Sequence, residues 1–146
     1  MKDFIETSRA HFDAVTSTLF SSLKNGEELT ANLTAEDSLF VRFNANRVRQ
    51  NTNVEQRSIS LKFQANGRTV EKGRTLSGGI EADRASLLRL LNDCRSEAEA
   101  LPPDPNQVPM RNNGESSEEF RADTPPAEKL VHSVAAAAEG LDLAGL

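Results

Sequence analysis

Hydrophobic positions along this chain recur with two periods, and the switches between them mark out the elements. From Asp3 to Lys24, Ile5, Phe12, Val15, Leu19 and Leu23 fall at helical spacing, which predicts an amphipathic helix stopped by Asn25-Gly26. Period two follows. Leu29, Ala31 and Leu33 alternate with Glu28, Thr30 and Asn32, predicting a first strand over Glu27–Ala35. Ala35-Glu36-Asp37 reads as a turn into a meander. There Leu39, Val41 and Phe43 alternate with Phe40, Arg42 and Asn44, and Ile59, Leu61 and Phe63 alternate with Ser60, Lys62 and Gln64. Alternation in β-branched and aromatic residues gives strands with one buried and one wet face. Asn66-Gly67 predicts a type I′ hairpin turn, because both central residues need positive φ. Asn44-Ala45-Asn46 is a weaker turn. Arg47–Gln56 holds the weak strand formers Asn51, Thr52 and Asn53, so a strand with a bulge or irregular middle is expected there.

The helical period returns at Asp83–Leu101, where Leu87, Leu91, Cys94, Ala98 and Leu101 form one stripe, with Asp83 placed as N-cap and Pro102-Pro103 as the stop. All six prolines lie between Pro102 and Pro126, with only Val108, Met110 and Phe120 to bury. Such a segment cannot offset its ordering entropy and reads as a linker or surface strap. Thr124-Pro125-Pro126 then opens an Ala-rich helix over Ala127–Glu139 with Gly140 as its stop, and Leu141–Leu146 reads as the first strand of something further. The expected fold class is α+β: an antiparallel meander sheet covered on one face by two helices, plus the Pro-rich strap and the Ala-rich C-terminal helix. Residues 1–101 form the domain, 102–126 the strap, and 127–146 lead toward a C-terminal domain.

Composition supports a chain that is only partly core. Hydrophobic residues make up 37% and mean hydropathy is −0.51, low for a chain packed throughout. The single Cys94 excludes an internal disulfide and a Cys-rich metal site and fits a reducing, cytoplasmic setting. No apolar run approaches the roughly 20 residues of a membrane span, and none follows a basic start as in a signal peptide.

Charge changes the picture more. Between Ser38 and Ile80 there are eight basic residues, opposed only by Glu55 and Glu71, in a chain whose net charge is −5. Either these charges balance acidic layers of the same protein, or they form a basic surface for an acidic partner or a substrate carboxylate. The residues expected on the wet face are Phe40, Arg42, Arg47 and Arg49, and an exposed Phe among arginines points toward an interface. No catalytic, cofactor-binding or metal-ligating set stands out. His11 and His132 lie far apart, each without a second histidine at helical spacing, and read as surface or boundary residues. Cys94, on a buried stripe, reads as a small hydrophobe.

Phe40-Val41-Arg42-Phe43-Asn44-Ala45-Asn46-Arg47-Val48-Arg49-Gln50 resembles a segment near the start of the TldD/PmbA family, also called modulator of DNA gyrase or microcin-processing peptidase. Arg68–Ser77 is similar to that family's next strand, Ala82–Ala100 with Leu101-Pro102-Pro103-Asp104-Pro105 to its helix and strap, and Glu128–Leu146 to the helix entering its second domain. The resemblance covers Ser38–Leu146. It implies a bacterial or archaeal N-terminal α/β domain, whose larger C-terminal domain carries H-E-x-x-x-H and zinc in the catalytic member. This chain has no such motif, so the resemblance implies a non-catalytic piece of the peptidase or of its zinc-free paralogue. The implied partners are its own C-terminal domain, a paralogous subunit and an unfolded peptide. The late apolar set Leu130, Val131, Val134, Leu141, Leu143 and Leu146 adds an expected weak homodimer that depends on the residues after Pro126. A stand-alone adaptor is the alternative. A nucleic-acid-binding sheet is disfavoured by the absence of Tyr and Trp and by the negative charge.

Overall fold

The computed structural model describes residues 4–44, 47–120, 122–123 and 125–139. Its elements are α1 (Phe4–Ser21), β1 (Glu27–Asn44), β2 (Arg47–Ala65), β3 (Arg68–Thr75), α2 (Ile80–Ala100) and α3 (Ala127–Ala138). The strands form one open antiparallel sheet in the order β1-β2-β3, so the α+β class holds. The chain divides into two compact units. One comprises Met1–Glu36 and Gln56–Asn113, the other Asp37–Glu55 and the described residues from Gly114 onward.

The first unit holds the core. β2 and β3 pair with Phe63 opposite Val70, Leu61 opposite Lys72 and Ile59 opposite Arg74. Directly opposed residues share a face, so Ile59, Leu61, Phe63 and Val70 point inward together. They meet Val15 and Leu19 of α1, Leu29 of β1, and Leu87, Leu90, Leu91, Cys94 and Ala98 of α2 in one buried cluster. Each such Leu or Ile is worth about 1.5–3 kcal/mol of burial. The β2–β3 turn has Asn66 at φ 50° and Gly67 at φ 73°, the positive pair expected of Asn-Gly. α1 unwinds at Ser21, and Gly26 turns the chain at φ 80°.

The first stretch after Leu101 is a docked strap. Asp104 N–H donates to Gly67 O at 2.7 Å, Gln107 Nε2 to Arg68 O at 3.0 Å and Thr69 Oγ1 at 2.8 Å, and Met110 N–H to Glu28 Oε2 at 2.9 Å. A chain without helix or sheet partners thus settles its polar groups on the hairpin turn.

Two local expectations fail. There is no turn at Ala35-Glu36-Asp37, and β1 is one strand of 18 residues. Nothing in that tripeptide supplies a positive φ or blocks pairing, and β2 beside it runs for 19 residues. Nor is Asp83 the N-cap of α2. The helix starts at Ile80 behind Gly79, which has no side chain to cap it. Asp83 lies in the first turn and reaches back, accepting from Ser77 N–H at 2.8 Å, Ser77 Oγ at 2.9 Å and Gly78 N–H at 3.0 Å. The carboxylate thus ties down the loop ahead of the helix rather than the helix's own first N–H groups, and it sits at the end the macrodipole favours.

In the second unit, β1 and β2 continue as a two-stranded arm. Leu39, Val41, Phe43, Thr52 and Val54 are half-buried, and none of the described residues here belongs to the buried cluster. On β1 the sheltered apolar positions, from Leu29 to Phe43, are odd-numbered throughout. On β2 they are even at Thr52 and Val54 but odd at Ile59, Leu61 and Phe63. A phase slip in one strand only is the mark of one extra residue, a β-bulge, between Val54 and Ile59. α3 shelters Leu130, Val131 and Ala135 partly and leaves Val134 exposed. Gly140 and the strand expected at Leu141–Leu146 lie outside the described residues, as do Ala45, Asn46 and Thr124.

Candidate functional site: a basic face on the β1–β2 arm

Alternation places Phe40, Arg42 and Asn44 on one face of β1. The slip in β2 puts Arg47, Arg49, Asn51 and Asn53 on the same side, opposite the half-buried Leu39, Val41, Phe43, Thr52 and Val54. All seven side chains are exposed, Phe40 by 51%. From Phe40 to Asn53 there is no acidic residue. Among the described residues no carboxylate pairs with Arg42, Arg47 or Arg49. The result is an acid-free triad of arginines around one exposed ring, on a pleated surface.

The other five basic residues of the sheet behave differently. Arg57 lies over the Phe4 ring at 4.3 Å and donates from Nε to Ser8 Oγ at 2.7 Å. Lys72 pairs with Glu97 of α2, and Arg74 donates to Ser86 on the same helix. Both lie on the inward face, where long stems reach around the core edge to the helix. Lys62 pairs with Glu71 across the wet face at 3.3 Å, and Arg68 Nε donates to Leu101 O at 2.7 Å. Each of these five therefore has a partner, a carboxylate for Lys62 and Lys72 and a ring, hydroxyl or carbonyl for Arg57, Arg68 and Arg74, whereas the three on the arm have no carboxylate among the described residues.

A second polar constellation lies in the first unit. His11, 9% exposed, donates from Nε2 to Asp83 Oδ2 at 2.8 Å, and Asp83 is 3% exposed. His11 is therefore buried, contrary to its reading as a surface or boundary residue. His11, Val15 and Leu19 are four apart, and Asp83 precedes Leu87 by four, so both sit on the buried stripes of their helices. Burial pushes the Asp83 carboxyl up, but the bonds from Ser77, His11 and Gly78 outweigh it and hold the group below the usual carboxylate range. The two Ser77 groups donate to Asp83, and no hydroxyl bonds His11, so this is not a nucleophile–base pair. It fastens α1 to the start of α2. Arg95 likewise forks onto Glu27, Nε to Oε1 at 2.8 Å and Nη2 to Oε2 at 2.7 Å, and lowers that carboxyl.

Cys94 is fully buried, and burial pushes its thiol up. Among the described residues no group of His, Cys, Asp and Glu converges as a metal site, and no helix is long and apolar enough to cross a membrane. Comparison with protein-family models, curated proteins and solved structures returns no match for the chain.

Proposed function

We propose that this chain is the non-catalytic N-terminal domain of a TldD/PmbA-type zinc metallopeptidase, or of its zinc-free paralogue, working in the cytoplasm in peptide maturation or proteolysis. In this reading the first unit is the scaffold and the arm is the working surface. Phe40, Arg42, Arg47 and Arg49 meet a paralogous subunit, or border the cleft through which an unfolded peptide reaches the catalytic domain. Zinc, when the parent is the catalytic member, belongs to that domain, and no residue of this chain is assigned to it.

The observation that carries the reading is the segregation of the basic residues. Five are tied to neighbours, and three, on the face of an exposed Phe, have no carboxylate partner among the described residues. Surface cations are common, but an acid-free set on a face that builds no core is suited to an acidic or carboxylate-bearing partner. The residue-level resemblance from Ser38 to Leu146 supports the family. Phe40 is the one exposed aromatic on this face, which is thin support for a stacking platform and favours protein over nucleic acid.

The reading is tested on the parent gene and its full product. The frame is expected to continue past Leu146 into a second domain, with H-E-x-x-x-H in the catalytic member. The assembled peptidase should cleave an unfolded peptide in a chelator-sensitive way, and R42S/R47S/R49S should cut that rate at least about tenfold with unchanged zinc content. A frame closing at Leu146, or a rate indifferent to the triple substitution, overturns it.

A further inference from the structure

The stripe that α1 lays into the core begins ahead of the core itself. Val15 and Leu19 are fully buried, whereas Phe12 is partly buried at the edge of the cluster and Phe4 is half-buried at the helix start. With Leu33 and Ala35 of β1, these two rings wall a groove of about 280 Å³ in the first unit. That size lies near the low end of small-molecule sites. Arg9 is the one charged residue of the wall. Among the described residues no acid lines the groove, although Glu6 and Glu36 are close by in sequence.

Arg57 is fixed beside this groove by two of its wall residues. Its guanidinium lies over the Phe4 ring at 4.3 Å, and its Nε donates to Ser8 Oγ at 2.7 Å. Ser8, 2% exposed, donates its own proton to Phe4 O at 2.7 Å, so the hydroxyl is fully used and set in place. Nε of Arg57 is therefore occupied, while Nη1 and Nη2 have no acceptor among the described residues. A half-buried guanidinium held by a ring and a hydroxyl, with no carboxylate, keeps its two-pronged donor end for an anion.

We propose that this groove binds a small free carboxylate carried on an apolar chain. The tail lies between the Phe12 ring and Leu33 with Ala35, and the carboxylate takes Nη1 and Nη2 of Arg57, with Arg9 as a second cation at the rim. Charge and wall together select this occupant. Two cations without an acid call for an anion, and a bare inorganic anion would leave the apolar wall uncovered. The inference stands apart from the peptidase reading. It uses neither the arm nor a second domain, and its failure would leave that reading where it was.

Calorimetric titration of the full chain with octanoate, kept below its micelle concentration, tests it. One molecule should bind per chain, with octanol and acetate each at least about tenfold weaker, since one lacks the charge and the other the tail. R57Q should weaken octanoate at least about tenfold. A35F, which adds a ring at an exposed position of the wall, should block it. R42S/R47S/R49S should bind as the parent does, which separates this site from a carboxylate merely drawn to arginines. In isotope-labelled parent protein the Phe4 and Phe12 ring signals and the Arg57 Nε–H should shift on titration, a reading that needs no variant to fold. No binding at millimolar octanoate, equal affinity for octanol, unchanged affinity in R57Q or A35F, lost affinity in the arm variant, or shifts confined to other residues each overturns the proposal.

Discussion

β2 carries the alternating pattern twice, and only one copy of it becomes a core. Ile59, Leu61 and Phe63 are buried under α1 and α2, whereas Val48 is exposed and Thr52 and Val54 are only half-covered. The backbone is the same kind of strand in both halves. What differs is the cover on the apolar face, and with it the use made of the polar one. In the first unit the cations are drawn to helix or strand partners and add to cohesion. On the arm they are left to solvent. Alternation specifies a strand; burial, and therefore stability, depends on what packs against it.

Deleting the same side chain from the two halves breaks this comparison most directly. Phe63→Ala empties a fully enclosed site and should cost about 3–5 kcal/mol. Phe43→Ala, on the half-buried face of the arm, should cost about 1 kcal/mol. Denaturant unfolding measures both, and equal losses would mean that the arm shares the core. Next in size is Asp83→Ala, which strands buried His11 and the Ser77 and Gly78 donors. It should lose about 3 kcal/mol.

The same residue predicts a pH dependence. Asp83 and Glu27 have folded-state pKa values lowered from their ordinary ones. Their contribution is complete above the unfolded carboxylate range, near pH 4, and is lost as pH falls through the lower folded values. D83N and E27Q should flatten the acid limb of a stability–pH curve, and R42S/R47S/R49S should leave it unchanged. A smaller effect is expected at the hairpin turn. Gly67→Ala places a Cβ at positive φ and 3.4 Å from Pro103 Cβ, for a loss of about 1 kcal/mol. The arm arginines come last. Each Arg→Ser substitution should stay within about 0.5 kcal/mol of the parent.

Much of this architecture is legible in the residues. The helical stripes, the Asn-Gly turn, the Cys94 position and the bulge-prone Arg47–Gln56 stretch all follow from period and turn chemistry. The missed features are of one kind. Continuity of β1 through Ala35-Glu36-Asp37 depends on the length of its neighbour, which local sequence does not display. Residue type alone reads His11 as surface and Asp83 as cap, although their four-residue spacing from Val15 and Leu87 places them on buried stripes. A buried hydrogen bond joins positions 72 residues apart, and no local pattern announces such a partner. The division of the basic residues into tied and free sets is likewise tertiary. Lys72 and Arg74 differ from Arg42 and Arg49 in having a helix within reach.

The central claim is that one hairpin has a stabilising half and a presenting half, and native-state hydrogen exchange residue by residue tests it most directly. Amides of Ile59–Ala65 should exchange only through global unfolding, with protection that falls in step with Phe63→Ala. Amides of Val48–Val54 should exchange through local opening, with free energies well below the global value and unaffected by Phe63→Ala. Equal protection along the whole of β2, moving together in the mutant, would contradict the account.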